Sequence, residues 1–124
     1  MKISKLSLLT GAFFGLTAVI LGAMGAHALE AVLDADQLDS FKTGVRYQMY
    51  HAFLLLMLGW IQTGISQSAN KWIVGLLIAG VLMFSGSIYL LVLTPIKVGI
   101  VTPIGGTLLI IAWTLMLIQF MRKA

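Results

Sequence analysis

The chain has no cysteine, so disulfides and thiolate metal sites are excluded, and the redox compartment leaves no trace. Charge is almost as scarce. Only 10% of the 124 residues are charged, against about 25% in a typical soluble domain. With 60% hydrophobic residues and a mean hydropathy of +1.03, the chain cannot cover itself with a water-compatible surface, and its solvent must be lipid. Acidic residues number four, all between Glu30 and Asp39. No apolar run holds paired carboxylates, no Ser-His-Asp arrangement is apparent, and no glycine-rich phosphate loop follows a strand. Catalysis and a cofactor are therefore not expected. The net charge of +4 would suggest nucleic acid in a soluble protein. Here the basic residues stand at the ends of apolar runs, which is the pattern of a membrane protein. The length calls for one domain, residues 1–124.

What is present is a series of apolar runs. Leu6 to Ala26 has 21 residues, matching the roughly 20 needed to span the hydrocarbon core as a helix. Lys2 and Lys5 precede it, and Ala26-His27-Ala28 follows, which also fits a secretory signal with its cleavage site. The run exceeds the roughly 7–15 residues of a signal core. It is also patterned: Gly11, Gly15, Ala18, Gly22 and Gly25 form one stripe of small residues, suited to close helix packing in lipid. It is read as a transmembrane helix, about residues 6–28.

Glu30, Asp34, Asp36 and Asp39 follow. Asp34-Ala-Asp-Gln37 has the spacing of a capping box. Leu38, Phe41 and Val45 then recur on one face. A short amphipathic helix lying at the interface is expected between helices 1 and 2. The next apolar run, Ala52 to Ile65, has 14 residues, too few for the roughly 17–25 of a span. The second span must then reach back over Arg46 to His51, giving residues 45–66. The third and fourth spans are expected at 72–93 and 103–121. Trp72 would anchor the third at the interface. Ser85-Gly-Ser87 suits close packing. Pro95 would end the third span, and Thr102 would cap the fourth, with Pro103 in its first turn. The fold class is thus an all-α membrane protein, a four-transmembrane-helix bundle with one interfacial helix. With the N-terminus inside, Lys2, Lys5, Lys71, Arg122 and Lys123 lie on the inner side, and Lys42, Arg46 and Lys97 on the outer. The excess places both termini in the cytoplasm.

Four blocks together carry a family resemblance: Gly22-Ala-Met-Gly-Ala-His-Ala-Leu29, Thr43-Gly-Val-Arg-Tyr-Gln-Met-Tyr-His-Ala52, Phe84-Ser-Gly-Ser-Ile-Tyr-Leu90 and Thr102-Pro-Ile-Gly-Gly106. In this order they resemble the YgdD/YwdK-type family of small bacterial membrane proteins, known as domain of unknown function 423. The resemblance covers nearly the whole chain. It implies a four-helix inner-membrane protein and supplies no reaction.

The polar residues concentrate in the second block. His27, Glu30, Arg46, Tyr47, Gln48, Tyr50 and His51 form the candidate cluster, structural or ligand-binding. If helices 1 and 2 are antiparallel neighbours, His27 and His51 could face each other. Tyr47 and His51 share one face of the second helix, and Arg46 and Tyr50 the next. The first use is a clasp between helices 1 and 2, since imidazole, phenol and amide groups hydrogen-bond across helices where water is scarce. The second is a ligand site, with Arg46, Tyr47 and Tyr50 holding a lipid phosphate, or the cluster taking a quinone or other amphipathic ligand. The third is a zinc-like site of His27, Glu30 and His51, which lacks any recognisable ligand spacing, so no metal is assigned. No charged residue sits at mid-depth of a span, which argues against an ion-coupled transporter. A non-enzymatic organising component of the envelope leads, acting through membrane lipids, a second copy or a protein partner. A small transporter, channel or ligand-binding protein using His27, Arg46 and His51 is the alternative.

Overall fold

The computed structural model describes residues 2–61 and 64–123 of the chain. They form four helices: α1 (Ile3–Ala26), α2 (Ala35–Trp60), α3 (Gln67–Leu93) and α4 (Val101–Lys123). No strand occurs among the described residues. Three helical stretches, Ile3–Ala26, Gln67–Leu93 and Val101–Arg122, are long and apolar enough to cross a membrane. Helix α2 is not among them: even its C-terminal part includes Arg46, Tyr47, Gln48, Tyr50 and His51, which keep it from being apolar enough.

Local chemistry sets the helix ends. In α1 the hydroxyls of Thr10 and Thr17 donate back to Leu6 O at 2.8 Å and Phe13 O at 2.9 Å. These bonds within one helix let polar side chains sit in apolar surroundings. The capping box opens α2: Gln37 N donates to the Asp34 carboxylate at 2.8 Å, and Asp34 N donates to Gln37 Oε1 at 3.1 Å. Ser66 caps α3 by accepting from Ala69 N at 3.2 Å. That helix stops at Leu93, just before Thr94 and Pro95, because Pro disfavours helical backbone in the residue before it.

Three expectations change. The capping box does not start a separate interfacial helix. Nothing between Asp34 and Trp60 breaks the helix, so the amphipathic stretch and the apolar run form one element of 26 residues, roughly 39 Å long at about 1.5 Å per residue. That helix ends at Trp60 instead of running to 66, and residues 62–63 of the expected span lie outside the described ones. Finally, α4 begins at Val101, so Thr102 lies inside the first turn and does not cap it. Pro103 remains in that turn, where its missing N–H costs no helical bond.

The helices run up-down-up-down, with α1 on α2, α2 on α3 and α3 on α4. Small residues set the distances. Along α1, a Cβ on Gly11 would lie 2.9 Å from Ala52 O, one on Gly22 3.6 Å from Val45, and one on Gly25 3.0 Å from the Phe41 ring. Gly15 meets Ala52, and Ala18 is buried. The small-residue stripe therefore faces α2 along most of its length. Between α3 and α4 the approach is closest at Gly105, where any Cβ would run into the backbone of Met83 and Phe84. The apolar core lies where α2, α3 and α4 meet, built on Leu55, Leu58, Ile73, Val74, Leu77, Leu109 and Ala112. Many large apolar side chains face outward, among them Phe13, Val19, Phe53, Ile110 and Leu117. An outward apolar surface of this kind is what a lipid solvent accepts.

Candidate functional site

Among the described residues, the buried polar side chains are Ser7, Gln48, His51, Ser85 and Ser87. Each is hydrogen-bonded. Burying such a group without a partner costs about 1–3 kcal/mol, so its partners define its task.

Gln48 sits on the α2 face between α1 and α3. Its Nε2 donates to Phe14 O at 2.9 Å and to Thr17 Oγ1 at 2.7 Å, both on α1. Its Oε1 accepts from the Tyr89 hydroxyl of α3 at 2.7 Å. One amide thus uses both its donors and an acceptor to join three helices. His51, one turn further on, reaches the fourth. Its Nδ1 lies 2.6 Å from Tyr47 O, and its Nε2 lies 3.0 Å from Trp113 Nε1 on α4. An indole N–H can only donate. Nε2 must therefore accept, and the proton belongs on Nδ1, where Tyr47 O receives it. The two partners select one neutral tautomer and leave neither ring nitrogen free.

Three serines add further links. Ser7 donates to Leu55 O, joining α1 to α2. Ser85 donates to Gly44 O at 2.7 Å, joining α3 to α2. Ser87 shares a short hydrogen bond with Thr102, joining α3 to α4. The Thr102 hydroxyl, expected as a helix cap, serves this contact.

The structure brings only part of the expected cluster together. Gln48 and His51 are both 4% exposed and lie at its centre. Tyr47 stacks near His51 at 6.2 Å and packs on Phe84 at 4.9 Å, centroid to centroid. Tyr50 lies 6.0 Å from Tyr47 and faces outward. Arg46 is exposed and donates to Thr43 Oγ1 at 3.3 Å. With Lys42 it borders a groove of about 270 Å³ between α1 and α2, lined also by Gly22, Gly25, Phe41 and Val45. His27 and Glu30 stay apart, both exposed in the turn after α1.

His27 and His51 therefore do not face each other. The α1–α2 register sets Gly25 against Phe41 and Gly15 against Ala52. His51 is level with the middle of α1, and His27 with the start of α2. They are offset by roughly 16 Å along the axis at about 1.5 Å per residue. Among the described residues, no group of three His, Cys, Asp or Glu side chains could hold a metal ion.

Thr17, Tyr89 and Trp113 complete the site and were not among the sequence candidates. Trp113 had one available signal: it stands near the middle of an apolar run, whereas membrane tryptophans favour the ends. Tyr89 stands in the third of the family blocks, and nothing local marks Thr17.

Fold and site together define a helical membrane protein whose buried polar side chains fasten its helices to one another. The family model described as "Protein of unknown function (DUF423)" matches residues 21–106, and the chain belongs to that family. A UPF0382 membrane protein of Staphylococcus aureus (strain bovine RF122) is 44% identical over 121 residues, covering 97% of this chain and 98% of its own. One of Staphylococcus saprophyticus is 43% identical, covering 92% and 95%. The UPF0382 membrane protein YwdK of Bacillus subtilis is 39% identical, covering 95% and 98%. No solved structure matches the chain.

Proposed function

We propose that this protein is a non-enzymatic structural component of the bacterial inner membrane, acting through contacts with lipids and with a second copy or a partner protein. The carrying observation is that its most chemistry-capable buried residues, Gln48 and His51, are committed to bonds between and within helices. A satisfied buried polar network rigidifies the helices it joins, and a ligand would have to displace bonds already made. In this reading α2 is a fourth span, because it is packed between α1 and α3 and its second half is apolar. The excess of basic residues at the α1 N-terminus, the α3 N-terminus and the α4 C-terminus supports both termini in the cytoplasm.

The alternative of a small ligand-binding or transport protein has one supporting feature. The groove beside Lys42 and Arg46 offers two cations to an anionic amphiphile. His27 and His51 do not line that groove.

Photo-crosslinking in native membranes tests the leading reading. Crosslinkers at outward positions such as Phe53 and Ile110 are expected to trap a second copy or a specific partner. A chain that stays monomeric, copurifies with neither protein nor lipid, and turns over or transports a substrate contradicts it.

A further inference from the structure

The end of the bundle opposite the acidic turn holds a cavity of about 390 Å³, lined by Lys2, Ile3, Ser4, Leu58, Ile61, Gln67, Asn70 and Lys71. It lies where the starts of α1 and α3 meet the end of α2. Two features mark it as more than a packing gap. First, its charge is of one sign. Lys2 and Lys71 border it, while all four carboxylates of the chain lie between residues 30 and 39, beyond the far end of α1. Among the described residues, no side-chain carboxylate lies at this end of the bundle to neutralise the two ammonium groups. Second, Asn70, which lines the cavity, has its Oδ1 buried with no hydrogen-bond partner among the described residues. A buried carbonyl oxygen in that state calls for a donor. The site thus asks for two things at once, negative charge for the lysines and an O–H or N–H for Asn70.

Position narrows the source. Trp60 and Trp72, at the adjoining ends of α2 and α3, are 80% and 70% exposed, as befits rings lying at headgroup level. Apolar Ile3, Leu58 and Ile61 form part of the cavity wall. A molecule held here would therefore sit at a membrane surface, polar end on the lysines and apolar part beside the helices.

We propose that this cavity binds the headgroup of an anionic phospholipid bearing a free hydroxyl, of the phosphatidylglycerol type. The phosphate lies between Lys2 and Lys71, and a headgroup hydroxyl donates to Asn70 Oδ1. This rests on the reading that the protein acts through lipid contacts, and it names the lipid class and the site. A zwitterionic headgroup carries a compensating cation, which the two lysines repel, so phosphatidylethanolamine is disfavoured.

The test is native mass spectrometry of the full-length protein released from vesicles of mixed phosphatidylglycerol and phosphatidylethanolamine. The wild type is expected to retain one phosphatidylglycerol preferentially. Lys2→Gln with Lys71→Gln should lower that retention by about tenfold or more, since each loses a charge-assisted bond. Asn70→Ala should reduce the preference for phosphatidylglycerol over phosphatidic acid, whose headgroup offers no glycerol hydroxyl. Lys5→Gln, which removes a charge at the same end but does not line the cavity, should change nothing. Equal loss in Lys5→Gln, or equal retention of both lipids by the wild type, overturns the proposal. Displacement of the lipid by an equal concentration of soluble glycerol phosphate overturns the lipid assignment. Circular dichroism of each variant shows that the helices remain. Protein crosslinks that survive in the double variant separate failure of this site from failure of the wider reading.

Discussion

The indole N–H of Trp113 points at Nε2 of His51 across 62 residues of sequence, at 3.0 Å. It is a hydrogen bond between α2 and α4, two helices whose backbones do not come close to each other. Trp113→Phe keeps an aromatic ring, though a smaller one, and removes the donor, leaving Nε2 with nothing to accept. The expected cost is about 1 kcal/mol, within the range for interhelical bonds in lipid. His51→Ala should cost more, because it also empties a packed site. The double variant should fall short of the sum by about 0.5–1.5 kcal/mol, the coupling between the two residues. Reversible unfolding in bicelles measures all three.

The glycines give a graded steric prediction. Gly105→Ala drives a methyl into the backbone at Phe84, and neither helix can yield without parting from the other. A loss of about 2–3 kcal/mol is expected, at the upper end for overpacking. Gly106→Ala, whose Cβ would lie 3.5 Å from the Phe84 ring, and Gly75→Ala, which meets nothing within 4 Å, should leave the unfolding midpoint nearly unchanged. A Gly105→Ala variant no less stable than these two would show that α3 and α4 do not pack through Gly105.

The absence of cysteine makes topology measurable with single added thiols. Val32→Cys, in the exposed turn after α1, should label only from outside the cell. Ser68→Cys, at the start of α3, should label only once the membrane is opened. Labelling of both from the same side contradicts α1 and α2 as successive spans.

Ser85→Ala tests a smaller link. It removes the bond to Gly44 O without adding volume. The carbonyl retains its bond within α2, so a loss of about 0.5–1 kcal/mol is expected. A similar loss in Thr114→Ala, whose hydroxyl bonds only within its own helix, would show that the bond between helices adds nothing specific.

Much of this architecture was legible in the sequence because it is written locally. The glycine stripe of α1 has a helical period that suits a close helix contact, and that contact is with α2. The capping box at Asp34 and Gln37 forms as its spacing implies. The level of His51 along α1 was less legible, for an equally physical reason. Counting the second span from Val45 put His51 six residues in, near the level of His27. The helix begins at Ala35, so His51 lies roughly 24 Å from its start at about 1.5 Å per residue. Propensity did not reveal that an amphipathic turn and an apolar run would join without a break. Gln48 was named, but its role as the centre was not, because its partners Thr17 and Tyr89 lie 31 and 41 residues away. Contacts of that kind follow from helix rotation and register, which no local pattern records.

The central claim is that the polar residues of α2 are a clasp, and Gln48 bears it most directly. Gln48→Leu keeps the size of the side chain and removes the bonds to Phe14 O, Thr17 and Tyr89 together. Unfolding of this variant in bicelles should show a loss of about 1.5–3 kcal/mol, with the proteolytic pattern shifting first at α1. Unchanged stability in Gln48→Leu would contradict the account and return Gln48 and His51 to the search for a ligand.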